Sequence, residues 1–386
     1  MSRTITILGA TGSVGRSTLD LIGRDPNGYE IVALTARKDI DGLIELAGRF
    51  KPRQAVIGDE THFGRLREAL AGTGVEAVSG EQAIIDAAGA GADWTMAAIV
   101  GTAGLKPVMR ALEGGGTLAL ANKEALVSAG DLMTEAATRH GATILPVDSE
   151  HNAIFQCFDH ARPQGVRRII LTASGGPFRD WALDEMRVAT PEQAVAHPNW
   201  AMGAKISVDS ATLMNKGLEL IEAARLFPVR PEQIEIVVHP QSVIHSLVDY
   251  IDGSVLAQLG APDMRVPIAY ALAWPARMAT PCAALDLVAL SRLDFQAPDP
   301  ERFPALALAR AALEQGGAKP AILNAANEIA VASFLEKRIA FLDIAALVGA
   351  VLDRYDPPAP SSIDEVLEID REARGRATEL QGTYAL

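Results

Sequence analysis

Six apolar runs punctuate the first 150 residues: TITILGA (4–10), EIVALTA (30–36), AVIG (55–58), WTMAAIVG (94–101), TLALAN (117–122) and TILPVD (143–148). They are apolar at successive positions, as expected of parallel strands covered on both faces. Residues 14–24 and 123–140 between them read as helices, so the pattern predicts a doubly wound α/β domain. From residue 151 the rhythm changes to RRIILTA (167–173), IEIVVHP (234–240) and SVIHSLVDYI (242–251), the last joined by Asp252-Gly253 to SVLAQLG (254–260). That Asp-Gly step signals a tight antiparallel hairpin, and hence a second, α+β domain. Residues 175–203 lack sustained periodicity and are long enough to form a lid. Proline and aspartate thicken over 275–303, which reads as a linker. Helical runs follow at 304–315, 321–338 and 341–355, with a last helix opened by Ser362 and Glu365 in capping-box spacing. The division predicted is 1–149, 150–274 with the lid inside it, a linker at 275–303, and a helical domain at 304–386.

The chemistry is densest in HPNWAMGAKISVDSATLMNKGLELIEA (197–223). As a helix from about Ser210, this stretch puts Ala211, Met214, Leu218 and Ile221 on one stripe and Asn215, Lys216, Glu219 and Glu222 on the other side. Ser207, Asp209 and Ser210 precede it as candidate caps, at a helix start that suits an anion. A helix with these letters is ordinarily solvated on its polar face.

Composition narrows the partners. A net charge of -13 without a long basic run argues against nucleic acid, while leaving room for a small phosphorylated ligand. No stretch approaches a membrane span and the N-terminus lacks a signal-peptide pattern, so a cytoplasmic protein is expected. Two cysteines, Cys157 and Cys282, stand outside any C-x-x-C pattern and read as packing residues.

Gly9, Gly12 and Gly15 follow the first strand and open the first helix, the setting in which glycines let a pyrophosphate approach backbone N–H groups. After the second strand come Arg37 and Lys38, where NAD-selective folds commonly carry an acid; cations there favour the 2′-phosphate of NADPH. At the end of the sixth run, period two places Asp148 and Glu150 on one side. Two carboxylates there suit a hard cation, Mg²⁺ or Mn²⁺ more than zinc, and Glu219 is the obvious third. His151 is an alternative structural hydrogen-bonder, and Lys123 follows another strand end, where such folds place ligand contacts.

Taken together, GATGSVG, LANKE, PVDSEHNAIFQ, SGGPFR, HPNWAMGAKISVDSATLMNKGLE, HPQSVIHS, DGSVLAQLG and AILNAANE occur in the order seen in the 1-deoxy-D-xylulose 5-phosphate reductoisomerase family, which this chain resembles over nearly its whole length. The resemblance implies a homodimer of three-part subunits, each with an NADPH domain, a catalytic domain carrying the lid and dimer contact, and a helical domain. It implies NADPH- and metal-dependent rearrangement and reduction of 1-deoxy-D-xylulose 5-phosphate to 2-C-methyl-D-erythritol 4-phosphate, on the non-mevalonate isoprenoid route. Whether the skeleton moves by retro-aldol and aldol steps or by a direct shift is left open.

Carried over by position, the metal ligands fall on Asp148, Glu150 and Glu219, which with Lys123 form the catalytic set. Substrate contacts fall on Lys123, Ser149, Glu150, Ser174, His197, Ser210, Asn215, Lys216 and Glu219, the phosphate being held mainly by Ser174, Ser210, Asn215 and Lys216. Trp200 and Met202 resemble lid residues. Cofactor contacts fall on Thr11, Gly12, Ser13, Val14, Lys38, Asn122, Glu124 and Gly203, with Arg37 beside them. Arg37-Lys38-Asp39 departs from the family's frequent Gly-Lys-Asn. Two other readings compete: a semialdehyde dehydrogenase, which needs a nucleophilic cysteine, and a non-catalytic NADP-binding sensor, which needs no carboxylate trio.

Overall fold

A computed structural model describes residues 2–198, 200 and 203–384. The chain forms two compact units. The first takes residues up to Ala125, then Asp131–Asn152 and Asp263–Ala283. Its sheet contains β1 (Arg3–Leu8), β2 (Tyr29–Ala36), β3 (Gln54–Ile57), β4 (Glu76–Ser79), β5 (Trp94–Ala97), β6 (Thr117–Leu120) and β7 (Thr143–Pro146). All pairs are parallel, in the order β4-β3-β2-β1-β5-β6-β7. The six apolar runs become all of these strands except β4, where Glu76 is exposed, the other three residues are half-buried, and there is no continuous apolar signal. Strand order reverses beside β1, so the glycine loop lies at the switch point, where such sheets bind ligands. Helix Arg265–Ala273 belongs to this unit: Ala271 O accepts from the Nε1–H of Trp94, a fully buried indole that needs an acceptor.

The second unit takes Leu126–Gly130, Ala153–Pro262 and the chain from Ala284 onward. Its sheet contains β8 (Val166–Ala173), β9 (Ile234–Val238), β10 (Ile244–Tyr250) and β11 (Val255–Leu259) in the order β11-β10-β8-β9, with β8 and β9 parallel. β10 and β11 form the expected hairpin. The Tyr250 N–H donates to Ser254 O at 2.9 Å, and Gly253 takes the left-handed conformation (φ 88°) that closes a three-residue loop. Helices Ala305–Gln315, Lys319–Leu335, Asp343–Arg354 and Ile363–Leu380 share one core with this sheet and with helix Met214–Leu226. Gly217 is where two of these helices meet, since a Cβ there would lie 2.7 Å from that of Ala309. Ser362 caps the last helix by accepting from Glu365 N–H at 3.2 Å, while the Glu365 carboxylate reaches back to Ser361.

Contacts thus distribute differently from the boundaries drawn at 149, 274 and 303: residues 263–283 join the first unit and the C-terminal helices the second. An apolar stripe demands burial but does not name the partner. The 275–303 stretch is fastened at Gln296, which pairs with Val238 of β9 in both directions. Within 175–203, Phe178, Met186 and Ala194 are buried, and Arg302 Nη1 donates to the carbonyls of Arg179 and Trp181 at 2.8 Å. Core packing therefore claims this stretch as far as Ala194. Met202 lies outside the described residues. Among the described residues no helix is long and apolar enough to cross a membrane.

Candidate active site

At the nucleotide end the glycines have separate reasons. Gly9 is left-handed (φ 83°), and a Cβ there would lie 2.6 Å from Ala98 O; at Gly15 it would lie 2.4 Å from Gly9 O. Both are packing requirements. At Gly12 the nearest atom would be 3.4 Å away, an ordinary contact, so packing within the chain does not require this glycine. Thr35 pins the loop, its Oγ1 accepting from Gly9 N–H and its carbonyl from Ala10 N–H. Helix Ser13–Ile22 opens after Gly12 without a side-chain cap, so the segment of Thr11, Ser13 and Val14 presents the positive end of a helix. Arg37 and Lys38 stand exposed after β2, whereas Asp39 caps helix Ile40–Phe50 through Gly42 N–H at 2.9 Å. That acid therefore has a structural task. Asn122 is also committed: buried, it accepts from Ala125 N–H and donates to the carbonyls of Ile99 and Gly101, bracing the loop after β5. Glu124 is buried in the first turn of helix Lys123–His140.

Asp148 and Glu150 come together differently from the expected strand alternation. β7 stops at Pro146 and helix Ser149–Cys157 begins, so Glu150 sits in a first helical turn with Asp148 just ahead. Asp148 Oδ1 accepts from Glu150 N–H at 3.2 Å, and Ser149 Oγ donates to Glu150 Oε2 at 2.6 Å. The positive helix end favours both carboxylates. Lys123 Nζ lies 2.9 Å from Asp148 Oδ2, both groups being largely buried, and His151 Nδ1 lies 3.4 Å from Asp148 Oδ1.

In the second unit β8 delivers Ser174. Its Oγ accepts from Gly176 N–H at 3.1 Å and lies 2.9 Å from His197 Nε2. Trp200 N–H donates to His197 Nδ1 at 3.0 Å, which assigns the proton to Nε2 and makes the histidine the donor to Ser174. Burial holds the imidazole below its ordinary pKa, in keeping with this neutral form. Gly176 is left-handed (φ 67°), and a Cβ there would lie 2.6 Å from Ser210 O. This close approach brings the Ser174 turn against the Ser210 peptide, and only the Gly-Gly pair in SGGPFR hinted at it.

The helix expected from Ser210 onward is two helices. Ala204–Ala211 ends, Leu213 turns left-handed (φ 60°), and Met214–Leu226 begins. Ser207, Asp209 and Ser210 accordingly lie inside the first helix and do not cap the second. Gly203 opens the first helix and Leu213 the second, both without side-chain caps. The expected apolar stripe is buried, but the opposite side is not solvated: Lys216, Glu219 and Glu222 are buried as well. Asn215 Nδ2 and Lys216 Nζ each donate to one oxygen of the Glu219 carboxylate. Such a pair holds its geometry because removing either partner strands a buried charge. Ser210 thus precedes, and Asn215 and Lys216 follow, the turn into a helix whose N-cap residue Leu213 gives no side-chain bond, although Thr212 Oγ1 accepts from Met214 N–H at 3.3 Å.

What an uncapped helix behind a glycine loop binds is a pyrophosphate, and cations at Arg37 and Lys38 match a 2′-phosphate; the class is an NADP-dependent oxidoreductase. Comparison with known proteins makes this specific. The family description 1-deoxy-D-xylulose 5-phosphate reductoisomerase matches residues 5–130, and those of its C-terminal domains match 144–227 and 259–376. The enzyme of that name from Zymomonas mobilis is 60% identical over 378 residues, covering 98% of this chain and 97% of its own. That from Rhodospirillum centenum is 57% identical, covering 98% and 94%. The Zymomonas mobilis structure in complex with NADPH superimposes with a TM-score of 0.95 at 58% identity, covering 99% of each chain. A DOX-P reductoisomerase in complex with NADPH, fosmidomycin and magnesium gives 0.92 at 44% identity, covering 98% of each. The chain belongs to the 1-deoxy-D-xylulose 5-phosphate reductoisomerase family.

Proposed function

We propose that this protein converts 1-deoxy-D-xylulose 5-phosphate to 2-C-methyl-D-erythritol 4-phosphate with NADPH and a divalent cation, and that Asp148, Glu150 and Glu219 are the cation's ligands. The observation that carries the substrate side is the buried Lys216 ammonium, with Asn215 and Ser210, at the start of helix Met214–Leu226. An ammonium held out of water there suits a phosphate dianion. Ser174, oriented by His197 and carried against Ser210 by Gly176, supplies a further donor. This end of the substrate is remote from the reacting carbons, so binding it supplies positioning energy for them.

The all-oxygen donor set of Asp148, Glu150 and Glu219 fits Mg²⁺ or Mn²⁺, and Gly12, bearing no side chain at a helix start without a side-chain cap, suits a pyrophosphate. When bound, the cation polarises the substrate's oxygens and the nicotinamide provides hydride. Lys123, beside Asp148, orients the substrate and offsets negative charge developing on it. Arg37 and Lys38 select the phosphorylated dinucleotide, with Thr11, Gly12, Ser13, Val14, Asn122, Glu124 and Gly203 as its other contacts. Trp200 covers the bound substrate.

The working form is a homodimer in the cytoplasm. What supports the dimer is the edge strand β11, with Val255 and Leu256 half exposed, and the apolar side chains Leu287, Val288 and Phe295 of the same unit, exposed by 62%, 89% and 48%. The experiment is NADPH oxidation, followed by absorbance, with 1-deoxy-D-xylulose 5-phosphate and with or without Mg²⁺ or Mn²⁺. Oxidation dependent on both sugar phosphate and metal is expected. Silence from folded protein that binds NADPH overturns the reading.

A further inference from the structure

Helix Ala204–Ala211 carries a carboxylate, Asp209, that is 1% exposed. Its Oδ2 lies 2.9 Å from Lys205 Nζ one turn earlier, and its Oδ1 accepts from Asn327 Nδ2 at 2.8 Å. Asn327 is fully buried and comes from helix Lys319–Leu335, in a region whose sequence offers no evident chemistry. The Asp209 carbonyl leads on toward the next helix: it shares the Thr212 hydroxyl proton with Val208 O, both at 3.2 Å, and Thr212 Oγ1 accepts from Met214 N–H at 3.3 Å. Bonds therefore run from Asn327 through Asp209 into the turn that bears Ser210 on one side and Asn215 and Lys216 on the other. The helix behind Asn327 is itself held, Glu328 accepting from Asn324 at 3.1 Å and from Arg374 at 2.8 Å.

From this we infer that Asn327 is a positioning residue for substrate affinity. It touches no reacting group and acts through Asp209, keeping Ser210, Asn215 and Lys216 in register for the phosphate. The inference rests on the phosphate reading above. The residue type follows from the chemistry. A buried carboxylate needs a donor, an aspartate at 327 would set two carboxylates against each other, and an apolar residue would leave Asp209 half-satisfied.

The test compares wild type with Asn327→Leu, Asn327→Ser, Asn327→Asp and the exchanged pair Asp209→Asn with Asn327→Asp, measuring KM and kcat for 1-deoxy-D-xylulose 5-phosphate, NADPH affinity and Tm. Each single variant should raise KM about tenfold, the equivalent of about 1.4 kcal/mol, with kcat and NADPH affinity nearly unchanged. The exchanged pair restores an amide-to-carboxylate bond with its direction reversed and should recover most of that loss. A purely structural role would lower Tm and leave KM alone. Any folded single variant with wild-type KM, or an exchanged pair no better than Asn327→Asp, overturns the inference; Asn327→Ser serves if Asn327→Leu does not fold. Lys216→Ala separates the two failures. If it leaves KM unchanged the phosphate reading has failed, and if it raises KM while the Asn327 variants do not, only the inference has.

Discussion

Gly176→Ala isolates the contact that brings the Ser174 turn against Ser210. Two costs arise. An alanine at φ 67° pays the left-handed penalty of about 1–2 kcal/mol, which acts on stability. Its Cβ would also lie 2.6 Å from Ser210 O and 3.0 Å from Ala211 Cα, both backbone atoms, so the two segments must part by several tenths of an ångström. That displacement acts on the donors proposed to hold the phosphate. Hydrogen bonds to a charged group are worth about 1.5–3 kcal/mol each, so weakening one should raise KM about ten- to a hundredfold. Gly253→Ala supplies the control. Gly253 is equally left-handed (φ 88°) but has nothing within 4 Å of its would-be Cβ, so it carries the strain without the collision. KM and kcat for 1-deoxy-D-xylulose 5-phosphate, measured with melting curves for both variants, separate the effects. Both should lose stability, and only Gly176→Ala should lose substrate affinity. A folded Gly176→Ala enzyme with wild-type KM would refute the reasoning.

Three further outcomes are expected. Lys216→Ala leaves the fully buried Glu219 without its cation, at a cost of about 3–5 kcal/mol in stability, and raises KM; thermal melts and steady-state kinetics check both, and a variant as stable as wild type would count against the pair. Glu219→Gln should cut turnover far more than NADPH affinity, as read by kinetics and cofactor titration, and equal losses in both would undo the division of roles. Because burial lowers the His197 pKa, the unfolded chain takes up this proton first as pH falls, so the ring's contribution to stability is complete above the ordinary imidazole pKa and is lost as pH falls below it. The stability gap between wild type and His197→Gln, followed by melts across that range, should therefore narrow toward acid; a gap that widens there contradicts the neutral Nε2–H assignment.

The strands and the site differ in how legible they were, for physical reasons. Strands β1, β2, β3, β5 and β6 announce themselves because both faces must be apolar, and β7, at one sheet edge, still reads TILP; β4, at the other edge, has Glu76 and Ser79 among only four residues and makes no continuous apolar run. The helix Lys123–His140 matches its expected bounds, and its kink at Ala129 falls beside Gly130, a residue that weakens a helix interior. The break before Met214 has no sequence signature because it turns on a leucine in the left-handed region, a conformation that glycine, and less often asparagine or aspartate, signals. Strand alternation does not apply to Asp148 and Glu150, because β7 ends at Pro146 and a helix begins at Ser149.

Burial of charge is the larger gap, and it is where the chemistry lies. Periodicity puts Asn215, Lys216, Glu219 and Glu222 on one side of a helix, but whether that side meets water depends on segments far away in sequence. Lys216 and Glu219 are 3% and 0% exposed, and nothing within one turn of them in the sequence requires it. The same holds for Asp209, whose partner Asn327 stands 118 positions away. A carboxylate kept from water must be met by donors, and those donors then fix its neighbours. The residues that set the geometry of a polar site are therefore found by following each buried charge to its partner, which requires the fold; the residues that do the chemistry can be picked from local pattern, because the reaction itself dictates their types.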